Sequence, residues 1–161
     1  MNVVFDLDGV ARDLNRYFLD KFGGEYPVVW NHKYDGKSIA NCMDADSKSM
    51  TDAPATEYLP EIVRGRRDTI FWTAQPPKWR YFCLLWVVER VNSFDIIFKK
   101  PEEKILALDR GEADFIVEDY PKFTDYSRVI LIDRPYNQGI ECFERVKTPQ
   151  QLRELLDILE R

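Results

Sequence analysis

The chain has 161 residues, 45% of them hydrophobic and 14% aromatic, enough to bury roughly two thirds of the unfolded surface in one core and too few for a second. Its formal net charge of −5 excludes a global field for nucleic acid, and the one basic cluster, Arg64, Arg66 and Arg67, runs straight into Asp68 and is expected to be a solvated surface patch. No apolar run approaches the roughly 20 residues of a membrane span, and the chain enters strand-like sequence at once, without a signal-peptide pattern, so a cytoplasmic protein is expected.

Cys42, Cys83 and Cys142 are odd in number, far apart and outside any CxxC, which predicts free thiols. His32 is the only histidine. A site built on several histidines is thereby disfavoured, and carboxylates are left to carry the chemistry.

Val3-Val4-Phe5 reads as a short buried strand that ends in Asp6-Leu7-Asp8-Gly9-Val10. Two acids at a strand's carboxyl end, followed by a glycine that lets the backbone turn, make a candidate metal and reaction site. Leu14, Phe18, Leu19 and Phe22 predict a helix over Arg12–Phe22, stopped by Gly23-Gly24. Residues 24–53 lose periodicity and predict an irregular insertion placed to lie over the acidic turn. A short helix over Ala55–Val63 follows, with Pro60 set against it.

The second strand is Thr69–Thr73, broken by Ala74-Gln75-Pro76-Pro77, after which Trp79, Phe82, Cys83, Trp86 and Val87 predict a buried helix to about Asn92. Phe94–Phe98 is the third strand, and Lys99-Lys100-Pro101 introduces a helix that stops at Gly111. Asp114–Val117 is the fourth, ending in Glu118-Asp119. Arg128–Ile132 is the fifth, ending in Asp133-Arg134-Pro135-Tyr136-Asn137. Thr148-Pro149-Gln150-Gln151 caps a terminal helix with Leu152, Leu155, Leu156 and Leu159 on one face. The alternation predicts an α/β fold with a doubly wound parallel sheet, one domain over 1–161 with an insertion at 24–66.

Consecutive strand ends thus carry Asp6 and Asp8, then Thr73, then a lysine-rich helix start, then Glu118 and Asp119. This resembles the haloacid dehalogenase-like (HAD) superfamily, whose first motif is similar to Asp6-Leu7-Asp8-Gly9-Val10, whose second is a strand-terminal Thr or Ser such as Thr73, and whose fourth is an acidic pair such as Glu118-Asp119. The third motif is a lone lysine, for which Lys104 is the first choice, Lys100 the second and Lys99 the third. A receiver domain uses similar residues but needs an Asp on a middle strand before the Thr. The likeness spans Val3 to about Asn137 and leaves the insertion at 24–66 unmatched.

The resemblance implies a Rossmann-like HAD fold with a short cap, and a Mg²⁺-dependent phosphomonoester hydrolase acting through an aspartyl-phosphate. Asp6 is then nucleophile and metal ligand, Asp8 the acid/base and a ligand through its backbone carbonyl, Asp119 a further ligand with Glu118 beside it, and Thr73 and Lys104 the phosphoryl-binding pair. Within the superfamily the chain looks most like the 5′(3′)-deoxyribonucleotidase group, whose TARP and DRPYN-like segments correspond to Thr73–Pro76 and Asp133–Asn137. Gln75 replaces the usual Arg, and Glu118 replaces the first Asp of the pair. A small phosphoester is the expected partner, a nucleotide first, with a polynucleotide end or another phosphoester as alternatives; a catalytically silent binding module is the reading from a different class. Trp30, His32 and Tyr34 of the insertion, with Lys100, are the candidate substrate contacts. Tyr120, Tyr136 and Asn137 are expected to serve packing.

Overall fold

Six short strands form one parallel sheet in the computed structural model, which describes residues 1–66, 68–123 and 126–160. In chain order they are β1 (Val3–Phe5), β4 (Phe71–Thr73), β5 (Ile96–Phe98), β6 (Phe115–Glu118), β7 (Val129–Ile132) and β8 (Glu144–Val146), with β2 (Lys33–Tyr34) and β3 (Lys37–Ser38) forming a separate hairpin. The spatial order β5-β4-β1-β6-β7-β8 places the first strand in the middle. The chain builds outward from β1 in one direction and then crosses to β6 on its other side, so the switch point lies between β1 and β6. Ligands bind at such a point in open α/β sheets, outside the carboxyl ends of the strands.

Alternate residues of each strand serve opposite faces of the sheet, as the two-residue period of a strand requires. Phe5, Phe71, Val117 and Ile130 join one core cluster with Leu14, Phe18, Cys83, Trp86, Leu152 and Leu156. These come from helices α1 (Leu14–Phe22), α5 (Arg80–Val91) and α7 (Pro149–Leu159). Val4, Trp72, Ile116 and Val129 face the other way, against Ala107 and Leu108 of α6 (Pro101–Asp109) and Phe123. Both faces are covered, which is why the strands read as continuous apolar runs.

Four local expectations are corrected. Helix α1 begins at Leu14 rather than Arg12: the Asp13 side chain accepts from Arg16 N–H at 2.9 Å as N-cap, and Arg12 precedes the helix with its side chain turned inward, 0% exposed. The insertion has more regular structure than its periodicity suggests. Asp35 and Gly36 take positive φ, 49° and 74°, in the turn between β2 and β3, the conformation that an Asp-Gly hairpin turn demands. Three short helices follow, α2 (Ile39–Ala45), α3 (Ser49–Asp52) and α4 (Leu59–Val63), the last starting late enough that Pro60 falls in its first turn. Strand β8 has one apolar residue in Glu144-Arg145-Val146, and a three-residue edge strand with that composition leaves no run to detect.

Of the basic cluster, Arg67 lies outside the described residues. Arg64 is exposed, but Arg66 is tied down, its Nε donating to Glu160 Oε1 at 2.6 Å and its Nη1 to Ile62 O at 2.7 Å. Cys42, Cys83 and Cys142 are free thiols. No helix among the described residues is long and apolar enough to cross a membrane.

Phe71 is 0% exposed at the sheet centre, whereas Phe94 is 73% exposed. Phe71→Ala should therefore cost about 3–5 kcal/mol of unfolding free energy by urea titration, and Phe94→Ala should stay within about 0.5 kcal/mol of the parent protein. Equal effects would contradict the assignment of the core.

Candidate active site

Past β1 the chain curls back on itself. Asp6 N–H donates to Val117 O on the neighbouring strand at 2.8 Å, then Ala11 and Arg12 N–H both return to Leu7 O, and Gly9 N–H to Arg12 O. Gly9 sits at φ +86°, and a Cβ there would fall 1.9 Å from Asp119 Oδ2. The first acidic loop and the end of β6 therefore touch at a place where only glycine fits.

Asp6, Glu118 and Asp119 meet at the switch point, all buried, and each offers an oxygen within 4.8 Å of the others'. Lys104, on α6, reaches between two of them: its ammonium donates to Asp6 Oδ1 and, at 2.5 Å, to Glu118 Oε1. Glu118 Oε2 accepts the backbone N–H groups of Asp119 and Tyr120 at 3.1 and 3.3 Å. Burial, reinforced by the charge of Glu118, pushes Asp6 well above the ordinary carboxylate range and Asp119 up to about 7. Burial also opposes the charge on Lys104, but Asp6 and Glu118 outweigh it and raise the amine above the ordinary lysine value. Three acidic side chains share one ammonium, and a bound cation would relieve their crowding. A donor set made only of carboxylates suits a hard divalent cation.

Behind Asp119 stands a second layer that the sequence left as packing. Tyr136 OH donates to Asp119 Oδ2, and Asn137 Nδ2 donates to Asp119 O at 3.0 Å and to Ile132 O at 2.9 Å. Arg134 grips the carbonyl of Gly9 with Nε and Nη2, at 2.9 and 2.8 Å. The Asp133–Asn137 segment at the end of β7 thus braces both the glycine turn and the acidic pair. Its residues are visible in the sequence, but their targets lie 18 and 125 positions away, for Asn137 and Arg134 respectively.

Asp8 is held apart from the buried acids. Its carboxylate accepts Arg12 Nε at 2.7 Å and Nη2 at 3.0 Å, and also Gln75 Nε2 at 2.6 Å. Oδ1 thus accepts one hydrogen bond and Oδ2 two, which leaves Oδ1 a lone pair for a proton. Arg12 was invisible as a site residue in the sequence because it fell at the expected start of a helix.

Two adjoining cavities open here. One of about 260 Å³ is lined by Asp6, Asp8, Thr73, Lys104, Glu118 and Asp119, with Trp30 and Tyr120 at its side. The second, about 440 Å³, shares Asp8, Gln75, Trp30 and Asp119 and extends under the insertion past Asn15, His32 and Tyr136. Trp30 leans on Tyr120 and Tyr136 with ring centres 5.1 and 5.3 Å away. His32 lines the larger cavity, edge-on to Tyr34 at 4.8 Å. Tyr34 itself is 3% exposed and donates to Asn15 Oδ1 at 2.6 Å, so it anchors the insertion and faces neither cavity. Lys100 is exposed and lines neither cavity, and Lys99 pairs with Glu112 at 2.8 Å. Of the three lysines, Lys104 is the one brought to the carboxylates.

No family model and no curated protein sequence matches the chain. Among solved structures it is similar to a HAD family hydrolase from Deinococcus radiodurans R1, crystallised with bound phosphate and sodium, at a TM-score of 0.60 and 14% identity over 99% of this chain and 96% of that one. The likeness is one of fold: the six-stranded parallel sheet flanked by helices is an α/β architecture shared with that hydrolase.

Asp119 holds its proton more tightly when folded, at about 7 against an ordinary value of 3.8. Its contribution to stability is full below the ordinary value and is lost as pH rises through the folded one. In EDTA, the stability of the parent protein relative to Asp119→Asn should fall between about pH 4 and pH 8 in urea titrations. A difference that is flat or grows with pH would contradict the burial of this carboxyl.

Proposed function

We propose that the protein is a HAD-type phosphatase, a Mg²⁺-dependent phosphomonoester hydrolase that works through an aspartyl-phosphate on Asp6. The observation that carries this reading is the placement of Asp6, Thr73, Lys104 and Asp119 around one small cavity at the switch point, with Asp8 beside it. Mg²⁺ would be held by Asp6, the backbone carbonyl of Asp8 and Asp119, with Glu118 next to them, and when bound it would offset the repulsion between these acids and a phosphoryl group.

The remaining chemistry belongs to the side chains. A carboxylate oxygen of Asp6 bonds to phosphorus as the bond from phosphorus to the leaving oxygen breaks, and Asp8 gives that oxygen its proton. Lys104 and the Thr73 hydroxyl hold the phosphoryl oxygens as charge spreads over them. In the second half Asp8 takes a proton from water, the water oxygen bonds to phosphorus, and Asp6 is released. Asp8 ends as it began.

The larger cavity is the place for the leaving group. Its volume falls in the range of small-molecule sites, and its lining combines the aromatic residues Trp30, His32 and Tyr136 with the amide residues Asn15, Asn31 and Gln75. That mixture suits a nucleoside, whose base offers a flat face and hydrogen-bonding edges, and supports a 5′-nucleotidase-like substrate range. The insertion at 24–66 acts as a short cap. Free, separated thiols fit a reducing cytoplasmic setting.

Purified protein with Mg²⁺ should release phosphate from deoxynucleoside monophosphates faster than from sugar phosphates or 3′-phosphorylated oligonucleotides. Asp6→Asn should lower turnover of every substrate by at least about a thousandfold while leaving the melting temperature high. Undiminished turnover in that variant would eliminate the covalent mechanism, and a preference for oligonucleotide ends would replace the nucleotide reading. A protein that binds phosphate but releases none from any ester would be a binding module.

A further inference from the structure

The proposed hydrolase needs Asp8 in one orientation, and the surroundings of Arg12 show how that is arranged. Arg12 is 0% exposed. A guanidinium withdrawn from water is costly unless its donors are matched, and the loss is largest if its charge goes unmet. Nε and Nη2 form a fork on Asp8 Oδ1 and Oδ2, Nη1 donates to Met50 O at 2.7 Å, and Nη2 also reaches Cys83 Sγ at 3.4 Å. The guanidinium carbon lies over the Trp86 ring, 5.8 Å from its centre. Among the described residues Asp8 is the one charged group that Arg12 touches.

Three of these contacts come from outside the acidic loop. Met50 belongs to α3 of the insertion, and Cys83 and Trp86 belong to α5, the helix that follows Thr73. Arg12 is therefore fixed by the insertion and by the second-motif helix, and it in turn fixes Asp8. A two-point fork sets the plane of a carboxylate as well as its position, which a single point charge does not. The Asp8 side chain, still 21% exposed, lines both cavities and lies outside the buried cluster of Asp6, Glu118 and Asp119.

We infer that Arg12 is the positioning residue for Asp8, holding its carboxyl in line with the leaving oxygen and linking that alignment to the seating of the insertion. The inference rests on the phosphatase reading above. Proton donation matters for an alkyl leaving group and little for p-nitrophenolate, and kcat/KM reports the first phosphoryl transfer alone, so the two esters separate alignment from general damage.

In Arg12→Met, kcat/KM for a deoxynucleoside monophosphate should fall by about a hundredfold, as in Asp8→Asn, while kcat/KM for p-nitrophenyl phosphate falls less than about threefold. Arg12→Lys, which keeps the charge but not the fork, should fall between the parent protein and Arg12→Met. Equal losses on both esters, or a parental ratio in Arg12→Met, would overturn the inference. If Arg12→Met does not fold, the ratio in Arg12→Lys decides, a parental value being the contrary result. Failure of both variants to fold would assign Arg12 to stability and overturn it. A parent protein inactive on both esters would defeat the phosphatase reading and this inference with it.

Discussion

Three carboxylates buried together govern the arrangement of this molecule. Asp6, Glu118 and Asp119 are each almost wholly withdrawn from water, and one ammonium, Lys104, is bonded to two of them. Taking an ion out of water costs several kcal/mol even after relaxation, and pairing recovers that only when the geometry is good. The chain meets this demand from four places in the sequence. β1 brings Asp6, β6 brings the acidic pair, α6 brings Lys104 from 98 residues beyond Asp6, and the segment after β7 supplies Tyr136 and Asn137. Such a site gives up local stability, and the sheet and its two apolar faces offset the loss.

The same constraint explains why the elements lie in this order. The acids can converge only if β1 and β6 are neighbours with their carboxyl ends together, which the crossing of the chain at the switch point achieves. Gly9 then lets the first loop press against Asp119, and Arg134 pins that glycine's carbonyl. Two cavities meet at the strand ends and share Asp8, Gln75, Trp30 and Asp119. On the phosphatase reading, charged groups hold the invariant part of the ester, and the insertion, with its aromatic and amide side chains, meets the variable part.

Much of this was legible before any coordinates. The buried strands announce themselves because both faces of the sheet are covered, and polar residues at strand ends stand out against them: Asp6, Thr73 and Glu118-Asp119 are legible for that reason. Lys104 stands first among three lysines in the sequence because its helix leads directly into the strand of Glu118-Asp119, and the structure brings it to Asp6 and Glu118. What stayed hidden depends on long-range contact or on very short elements. Arg12 looks like a surface residue of an amphipathic helix, and only the placement of Met50, Cys83 and Trp86 makes it a buried one. Tyr34 looks like an exposed aromatic of a loop, yet the Asp35-Gly36 turn folds it inward beside Phe18. Strand β8 has too little apolar sequence to register, and Lys100 is exposed and lines neither cavity although Pro101 beside it lines the smaller one.

On the phosphatase reading, Asp6 becomes covalently phosphorylated. Incubation with Mg²⁺ and a phosphomonoester, followed by acid quenching and peptide mass analysis, should find a phosphoryl adduct on the peptide containing Asp6, labile to hydroxylamine as an acyl phosphate is. Phosphate release without any adduct, or an adduct on Asp8 or Asp119 in place of Asp6, would contradict the account.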